Sequence, residues 1–141
     1  MTNATILDAS AVLAYFLREN GLEVVEAALD AGGSQMTTVN YCEVLGKLVE
    51  KGMPADEAEQ ALNELGITFV DFDIALAQHA ALLQRRTRSI GASLGDRACV
   101  ALAMQFVQSK ATATVFTADQ SWSRAKWPFK IVVIRTARTA N

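Results

Sequence analysis

Apolar positions along the chain recur with two different spacings, and the changes between them mark the predicted elements. Short strand-like runs lie at 4–8, 34–39, 67–70, 113–117 and 130–134. Apolar residues spaced three and four positions apart predict helices at 9–18, 21–31, 40–51, from 54 onward, 73–86 and 96–107. The segment 87–95 is predicted to be a loop. Gly32 and Gly52 end the second and third helices.

The order of these elements predicts the fold class. Strands alternate with helices along the chain, which is typical of a mainly parallel sheet covered by helices on both faces. The predicted fold is therefore an α/β sandwich with about five strands. At 141 residues the chain has the length of one domain. We place this domain at 1–135 and expect 136–141 to be a frayed tail.

Composition favours a globular protein of a reducing compartment. Hydrophobic residues make up 51% and charged residues 20% of the chain, which excludes disorder. The longest uncharged apolar stretch, 98–104, is too short to span a bilayer, and Asp8 interrupts any signal-peptide core. Cys42 and Cys99 form no CxxC pair and are predicted to be buried thiols. We therefore expect a cytoplasmic protein with no membrane partner.

Net charge does not decide whether the partner is a nucleic acid. The chain has 13 basic and 15 acidic residues, so its net charge is −2. If a metal ion neutralised four of the carboxylates, 11 acidic residues would face the 13 bases and the remaining surface would be mildly positive. The positions of the acids are therefore more informative than their number.

Four carboxylates fall where a parallel sheet forms its ligand-binding edge. Asp8 closes the first predicted strand, and Asp119 follows the strand at 113–117. Glu43 and Asp96 lie in the first turns of two predicted helices. Because the carboxyl ends of parallel strands and the N-termini of the crossover helices share one edge, we predict that the four acids converge there.

Each acid, taken singly, also has a structural explanation. The two acids at strand ends are suited to cap the helices that follow them. Ser93 with Asp96, and Asn40 with Glu43, have the spacing of a helix capping box. Convergence of all four acids favours a functional interpretation over a structural one, because the cluster is electrostatically unfavourable. Two unit charges ~4 Å apart repel by about 4 kcal/mol at an effective dielectric of ~20. A divalent cation removes this repulsion, and oxygen ligands favour Mg²⁺ or Mn²⁺.

The residues around these acids resemble those of a PIN-domain ribonuclease, specifically a VapC-type toxin. The matching stretches are ILDASAVLAYF (6–16), TVNYCEVLGKL (38–48), SLGDRACVALA (93–103) and VFTADQSW (115–122). Their order and spacing match the family, and with the intervening helices the resemblance covers nearly the whole chain. Two features depart from it or have no assignment: the segment 105–114 is longer and more polar than the usual turn, and Trp127 has no assigned role.

The resemblance implies a PIN-like three-layer α/β/α sandwich and a Mg²⁺- or Mn²⁺-dependent endoribonuclease. Its products would carry 5′-phosphate and 3′-hydroxyl ends. The family further implies a homodimer that is neutralised by a cognate VapB-type antitoxin, whose C-terminal segment fills the active-site groove. Asp8, Asp96 and Asp119 would coordinate the metal. Glu43 would coordinate it directly or through water and would orient the attacking water.

Further residues have a functional and a structural interpretation side by side. Ser10 and Thr117 match the family's small hydroxyl positions beside the acids, where they would hold carboxylate rotamers. Their alternative is a capping or turn hydroxyl. Five arginines would guide RNA phosphates to the cleft, and their alternative is a solvated surface: Arg85, Arg86, Arg88, Arg97 and Arg124.

Two other functions compete with the ribonuclease. An aspartyl-phosphate phosphotransferase of dehalogenase type needs Asp-x-Asp, whereas here Ser10 stands two residues after Asp8. A receiver domain needs a lysine after a late strand, where this chain has Arg135. The second alternative is a catalytically inactive PIN-like module that binds RNA or a protein partner. Retention of all four acids argues against it, since a binding module gains little from their repulsion.

Overall fold

The computed structural model of this protein describes residues 2–135, so the predicted tail at 136–141 lies outside the described residues. The strands are β1 (Asn3–Leu7), β2 (Ser34–Thr37), β3 (Thr68–Val70), β4 (Thr112–Thr117) and β5 (Lys130–Val133). The helices are α1 (Ala9–Phe16), α2 (Leu22–Ala31), α3 (Thr38–Glu50), α4 (Ala55–Asn63), α5 (Ile74–Leu82) and α6 (Leu94–Gln108). Two short 3₁₀ helices cover Arg88–Ile90 and Gln120–Arg124.

The five strands form one sheet in the order β3-β2-β1-β4-β5, and every neighbouring pair is parallel. This confirms the predicted α/β class. The chain builds outward from β1 to β3 and then returns to place β4 and β5 on the other side of β1. The strand order therefore reverses between β1 and β4, which is where open α/β sheets form ligand sites.

Alternating residues of the central strand face two different cores. Ile6 lies in a core with Leu76 of α5 and Val100 of α6. Leu7 lies in a second core with Val44 of α3. Successive side chains of a strand point to opposite faces, so helices cover both faces of the sheet, as the sequence predicted. The residue that follows, Asp8, then lies at the middle of the sheet's carboxyl edge.

Helix boundaries differ from the predictions where a capping residue lies earlier in the chain than the apolar spacing suggests. The helix α6 covers Leu94–Gln108 because Ser93 caps it, and it is longer at both ends than the predicted 96–107. With α6 ending at Gln108 and β4 starting at Thr112, most of the polar segment 105–114 is helix and strand. The connection is a short turn in which Lys110 has a φ of 64°.

The start of α3 differs for the same reason. The hydroxyl of Thr37 accepts a hydrogen bond from the Asn40 backbone N–H, so Thr37 is the N-cap. Glu43 therefore lies in the second turn of the helix, and the predicted capping box of Asn40 with Glu43 is wrong. The same register points Val44 and Leu48 inward.

The two cysteines have different surroundings. Cys99 is buried, as predicted, but Cys42 is exposed, so the prediction of two buried thiols is wrong for Cys42. The helical register of α3 turns Cys42 away from the core, because the inward positions are taken by Val44 and Leu48. Across residues 2–135, no helix combines the length and the hydropathy needed to cross a membrane.

Candidate active site

A cavity of about 610 Å³ opens at the carboxyl edge of the sheet, and all four predicted acids line it. Asp8 comes from the end of β1, Glu43 from α3, Asp96 from α6 and Asp119 from the segment after β4. The predicted convergence of the four acids is therefore present in the fold. The other residues of the lining come from α1 and α3: Ala9, Ser10, Leu13, Asn40, Cys42, Gly46, Lys47 and Glu50.

Asp8 is the most deeply placed of the four acids, with 3% of its surface exposed. It caps α1, and its Oδ1 accepts hydrogen bonds from the Ala11 N–H at 2.8 Å and the Ser10 hydroxyl at 2.7 Å. Burial raises the pKa of Asp8 to about 6, because desolvation outweighs the hydrogen bonds from Thr117, Ala11 and Ser10. The charge of Asp96 raises this pKa further.

Hydroxyl groups connect Asp8 with the segment that carries Asp119. Ser10 Oγ accepts a hydrogen bond from the Ala118 N–H at 2.8 Å and lies 3.3 Å from Thr117 Oγ1. Thr117 Oγ1 in turn accepts from the Asp119 N–H at 3.1 Å. Both predicted hydroxyls thus contact the backbone or side chain of a cavity acid, and their part in the chemistry stays a prediction.

Glu43 is held by contacts between α3 and α6. The amide of Asn40 donates one hydrogen bond to Glu43 Oε1 at 2.9 Å and another to the Gly95 carbonyl at 3.2 Å. Desolvation raises the pKa of Glu43, the hydrogen bond from Asn40 lowers it, and the charge of Asp96 raises it. The side chain therefore enters the cavity as an anchored carboxylate.

The structural explanations proposed for the acids hold for Asp96 and Asp119. Asp96 Oδ2 accepts from the Ser93 N–H at 3.0 Å, and Ser93 Oγ accepts from the Asp96 N–H at 3.2 Å, which completes a capping box. Asp119 Oδ1 accepts from the Ser121 N–H at 2.9 Å and caps the 3₁₀ helix. An ionised carboxylate has two oxygens with about four lone-pair sites, and each cap uses one of them. Both acids can therefore cap a helix and still bind a cation.

Asp96 is the electrostatic centre of the four. Its own pKa is raised by desolvation first, against the Ser93 hydrogen bonds, and further by the charge of Asp119. Its charge in turn raises the pKa of Asp8 and of Glu43. Burial raises the pKa of Cys99 well above its usual range, and the charges of three of these acids raise it further. The floor of the cavity is thus a region of concentrated negative potential.

The donor set fits a hard divalent cation in its chemistry, since it offers carboxylate oxygens and gains from neutralisation. The four acids are not yet close enough together to form a complete metal site. Within residues 2–135, no three His, Cys, Asp or Glu side chains are grouped so that they could hold a metal ion. In this arrangement each acid is hydrogen-bonded to a residue near it in the chain.

The predicted RNA-guiding arginines lie outside this cavity. Arg97 donates from Nη1 to the Ala80 carbonyl at 3.1 Å, and the Arg86 guanidinium lies over the Trp127 ring at 5.9 Å. Among the cavity's lining residues within 2–135, the one cation is Lys47, which pairs with the exposed Glu50 at 3.5 Å. The three remaining arginines are exposed: Arg85, Arg88 and Arg124.

Sequence reasoning missed Asn40 and Gly95 as parts of the site. Asn40 was interpreted only as a capping residue, although its position one turn before Glu43 is a spacing at which helical side chains meet. Nothing local signals Gly95, which lies 55 positions further along the chain. The side chain of Lys47, one turn after Glu43, belongs to the same cavity-facing surface of α3.

Comparisons with known proteins concern the family and the fold of this chain. The family model for the PIN domain matches residues 5–128 of the chain. No curated protein matches it. Among solved structures, a DNA-bound VapBC complex from Salmonella typhimurium is similar with a TM-score of 0.64 at 14% identity, covering 94% of this chain and 98% of that one.

Two further structures share the fold. A toxin–antitoxin complex from Klebsiella pneumoniae has a TM-score of 0.63 at 12% identity, covering 91% of this chain and 100% of that one. FitAcB from Neisseria gonorrhoeae has a TM-score of 0.58 at 20% identity, covering 90% and 95% of the two chains. At these identities the likeness concerns the arrangement of helices and strands.

Proposed function

The chain belongs to the PIN domain family, and from this we propose that it is a Mg²⁺- or Mn²⁺-dependent endoribonuclease. The observation that carries the proposal is the convergence of Asp8, Glu43, Asp96 and Asp119 on one cavity beside the point where the strand order reverses. Four acids from separate elements repel one another, and three of them have raised pKa values. A cation-binding role explains why the fold retains this unfavourable cluster.

In the proposed site, three of the acids coordinate the metal ion and the fourth has a second role. Asp8, Asp96 and Asp119 would hold the ion, and Glu43 would hold it directly or through water. When bound, Mg²⁺ or Mn²⁺ supplies Lewis acidity, which activates water and stabilises the leaving oxygen. With a pKa of about 6, Asp8 is largely ionised at neutral pH and is available as an anionic ligand.

The chain's own residues would orient the reactants. Glu43, anchored by Asn40, would accept a hydrogen bond from the attacking water and align it with the phosphorus. Ser10 and Thr117 would keep the Asp8 carboxylate turned toward the cavity. Attack by water breaks the bond from phosphorus to O3′ and leaves a 5′-phosphate and a 3′-hydroxyl.

We further propose that the protein is the toxin of a toxin–antitoxin pair. The structures that share its fold include toxin–antitoxin complexes, which supports a VapB-type antitoxin as its partner, and we also propose a homodimer. Its substrate would be RNA in the cytoplasm, guided by the five arginines named above, which lie outside the cavity, and contacted within the cavity by Lys47. The lysine strengthens this proposal, since it lines the cavity itself.

The test is cleavage of total bacterial RNA by the purified protein, freed of antitoxin, in the presence of Mn²⁺. An Asp8→Asn variant and an EDTA-treated sample are the controls, and the fragment ends are mapped. We expect discrete cuts with 5′-phosphate ends that are absent from both controls. Cutting that survives Asp8→Asn identifies a contaminating nuclease. Absence of both cutting and Mn²⁺ binding by calorimetry contradicts the proposal and favours a catalytically inactive binding module.

A further inference from the structure

We propose that Asn40 is a positioning residue, and that its amide and the open Cα face of Gly95 together form a seat for the Glu43 carboxylate. The seat lies where α3 contacts the first turn of α6, which also carries Asp96, and it holds the Glu43 carboxylate there before any cation binds. This inference rests on the proposed function, because it assigns Asn40 its role through an acid of the proposed metal site.

The hydrogen bonds of Asn40 leave one orientation for its amide. The side chain is 1% exposed, and its nitrogen faces Glu43 Oε1 and the Gly95 carbonyl, which both accept hydrogen bonds. Its oxygen accepts from the Thr37 hydroxyl at 2.9 Å. A reversed amide would turn its oxygen toward two acceptors and lose both of those hydrogen bonds. The donor that holds Glu43 is therefore fixed from the opposite end by the cap of α3.

Gly95 supplies the other wall of the seat. A Cβ placed on Gly95 would come within 2.6 Å of Glu43 Cδ, so an alanine would displace the carboxylate. Glycine in a helix is unfavourable relative to alanine because it loses more conformational freedom on folding. Its presence in the first turn of α6 is explained by the space that the Glu43 carboxylate occupies.

The seat restricts the Glu43 side chain to one orientation in the cavity. Glu43 is an exposed residue of α3 with a long side chain, and without the seat several rotamers would be open to it. The Asn40 bridge also ties α3 to the first turn of α6, which carries Asp96. Two mutually repelling acids are thus kept in place by a neutral donor. This is the preorganisation that ligand-orienting partners give a metal site.

The test measures Mn²⁺ affinity by calorimetry on the full chain, with RNA cleavage as a second readout. Asn40→Ala removes the donor, and Gly95→Ala removes the space without removing a hydrogen-bonding side chain. Gly46→Ala is the matched control, since Gly46 is also a helical glycine at the cavity but a Cβ there meets nothing within 4 Å. We expect both seat variants to bind Mn²⁺ ~10–100-fold more weakly than wild type, as for other ligand-orienting partners. Gly46→Ala should bind Mn²⁺ within about twofold of wild type, because its Cβ contacts no ligand-orienting group.

A double-mutant cycle separates positioning from general loss of structure. In a Glu43→Gln background, Asn40→Ala should cause little further loss of Mn²⁺ affinity, because Asn40 acts through the Glu43 carboxylate. An equal further loss in that background overturns the inference, as does wild-type affinity in both seat variants. Wild-type protein that neither binds Mn²⁺ nor cuts RNA overturns the proposed function as well. Binding and cutting by wild type together with unaffected seat variants overturns the seat alone.

Discussion

The two halves of the cavity are built in different ways. The sheet half consists of Asp8, Ser10 and Asp119, which line the cavity in the segments after β1 and β4, together with Thr117, which lies 3.3 Å from Ser10 Oγ. There the strands are paired in register up to Leu7 and Phe116, and backbone N–H groups and hydroxyls carry the acids. The helix half consists of Asn40, Glu43, Gly95 and Asp96 on α3 and α6. There, within residues 2–135, no backbone hydrogen bonds join the two helices. The side-chain amide of Asn40 on α3 instead donates a hydrogen bond to the Gly95 carbonyl on α6.

The difference explains which residue types each half uses. Paired strands bring their ends close together, so a short side chain such as Ser10, which follows β1, reaches the Ala118 N–H, which follows β4, at 2.8 Å. Two packed helices lie further apart, about 8–10 Å between axes, so the longer Glu43 has to extend from α3 into a space left by Gly95. In the sheet half Asp8 and Thr117 are consequently buried, and the helix half depends on individual side chains.

The largest effect is expected from Asp8→Asn in the sheet half. The substitution keeps the shape but removes the buried negative charge, and changes to residues that only orient ligands already cost ~10–100-fold. We therefore expect RNA cleavage, measured as kcat/KM, to fall by roughly 1000-fold. Asp30→Asn, an exposed acid on α2, is the control and should retain full activity. More than a tenth of wild-type activity in Asp8→Asn would remove Asp8 from the site.

The same residue predicts how stability depends on pH in the cation-free protein. The pKa of Asp8 is about 6 in the fold and 3.8 as the usual value, so the folded state binds a proton first as the pH falls. The free energy of unfolding should therefore be about 2 kcal/mol higher at pH 4 than at pH 7.5, and this gain should be lost as the pH rises through 6. Urea unfolding in EDTA measures this rise. Asp8→Asn should remove most of it, and an unchanged rise contradicts the assignment to Asp8.

Ser10→Ala should weaken the sheet half without removing an acid. It takes a donor from Asp8 and leaves the Ala118 N–H without its acceptor. The expected cost is ~1–3 kcal/mol of stability and ~10–100-fold in cleavage. The exposed hydroxyl of Ser123 donates to the Gln120 carbonyl outside the cavity, so Ser123→Ala should change neither quantity appreciably. Equal effects of the two substitutions would show that Ser10 has no special role.

Pairs of substitutions test whether the two halves are independent. Ser10 and Thr117 belong to one hydrogen-bonding network, so Ser10→Ala and Thr117→Val should be non-additive in unfolding free energy by ~0.5–3 kcal/mol. Ser10→Ala and Asn40→Ala share no partner and should add to within ~0.5 kcal/mol. Both energies come from urea unfolding of the cation-free protein. Strong coupling across the halves would mean that the cavity is a single cooperative unit.

The smallest effect is expected from Ser93→Ala, at the exposed end of the helix half. Loss of the cap should cost ~1 kcal/mol, because the Asp96 N–H loses its side-chain partner but remains accessible to water. Asp96 keeps its own bond to the Ser93 backbone N–H, which the substitution preserves. Cleavage should therefore change less than about threefold. A larger loss would show that the cap, and not the position of Asp96 on α6, orients this acid.

Much of the fold and of the acid cluster was predictable because it depends on local patterns. The alternation of short strands with helices determined the parallel sheet, and a parallel sheet places strand ends and helix starts together. Asp8 and Asp119 follow strands directly, so their shared edge followed from topology alone. Boundaries were less predictable: the start of α3 was set by competition between Thr37 and Asn40 as caps, and spacing alone does not decide it.

The sequence by itself thus determined the class of fold, the family and the edge at which the four acids meet. The tertiary structure decided the contact of Asn40 and Glu43 with Gly95 and the exposure of Cys42. It also decided the raised pKa of Asp8. The physical reason is that hydrophobic period and turn chemistry act between neighbours in the chain. Burial, desolvation and contacts between helices depend on residues that come together only when the sheet has formed.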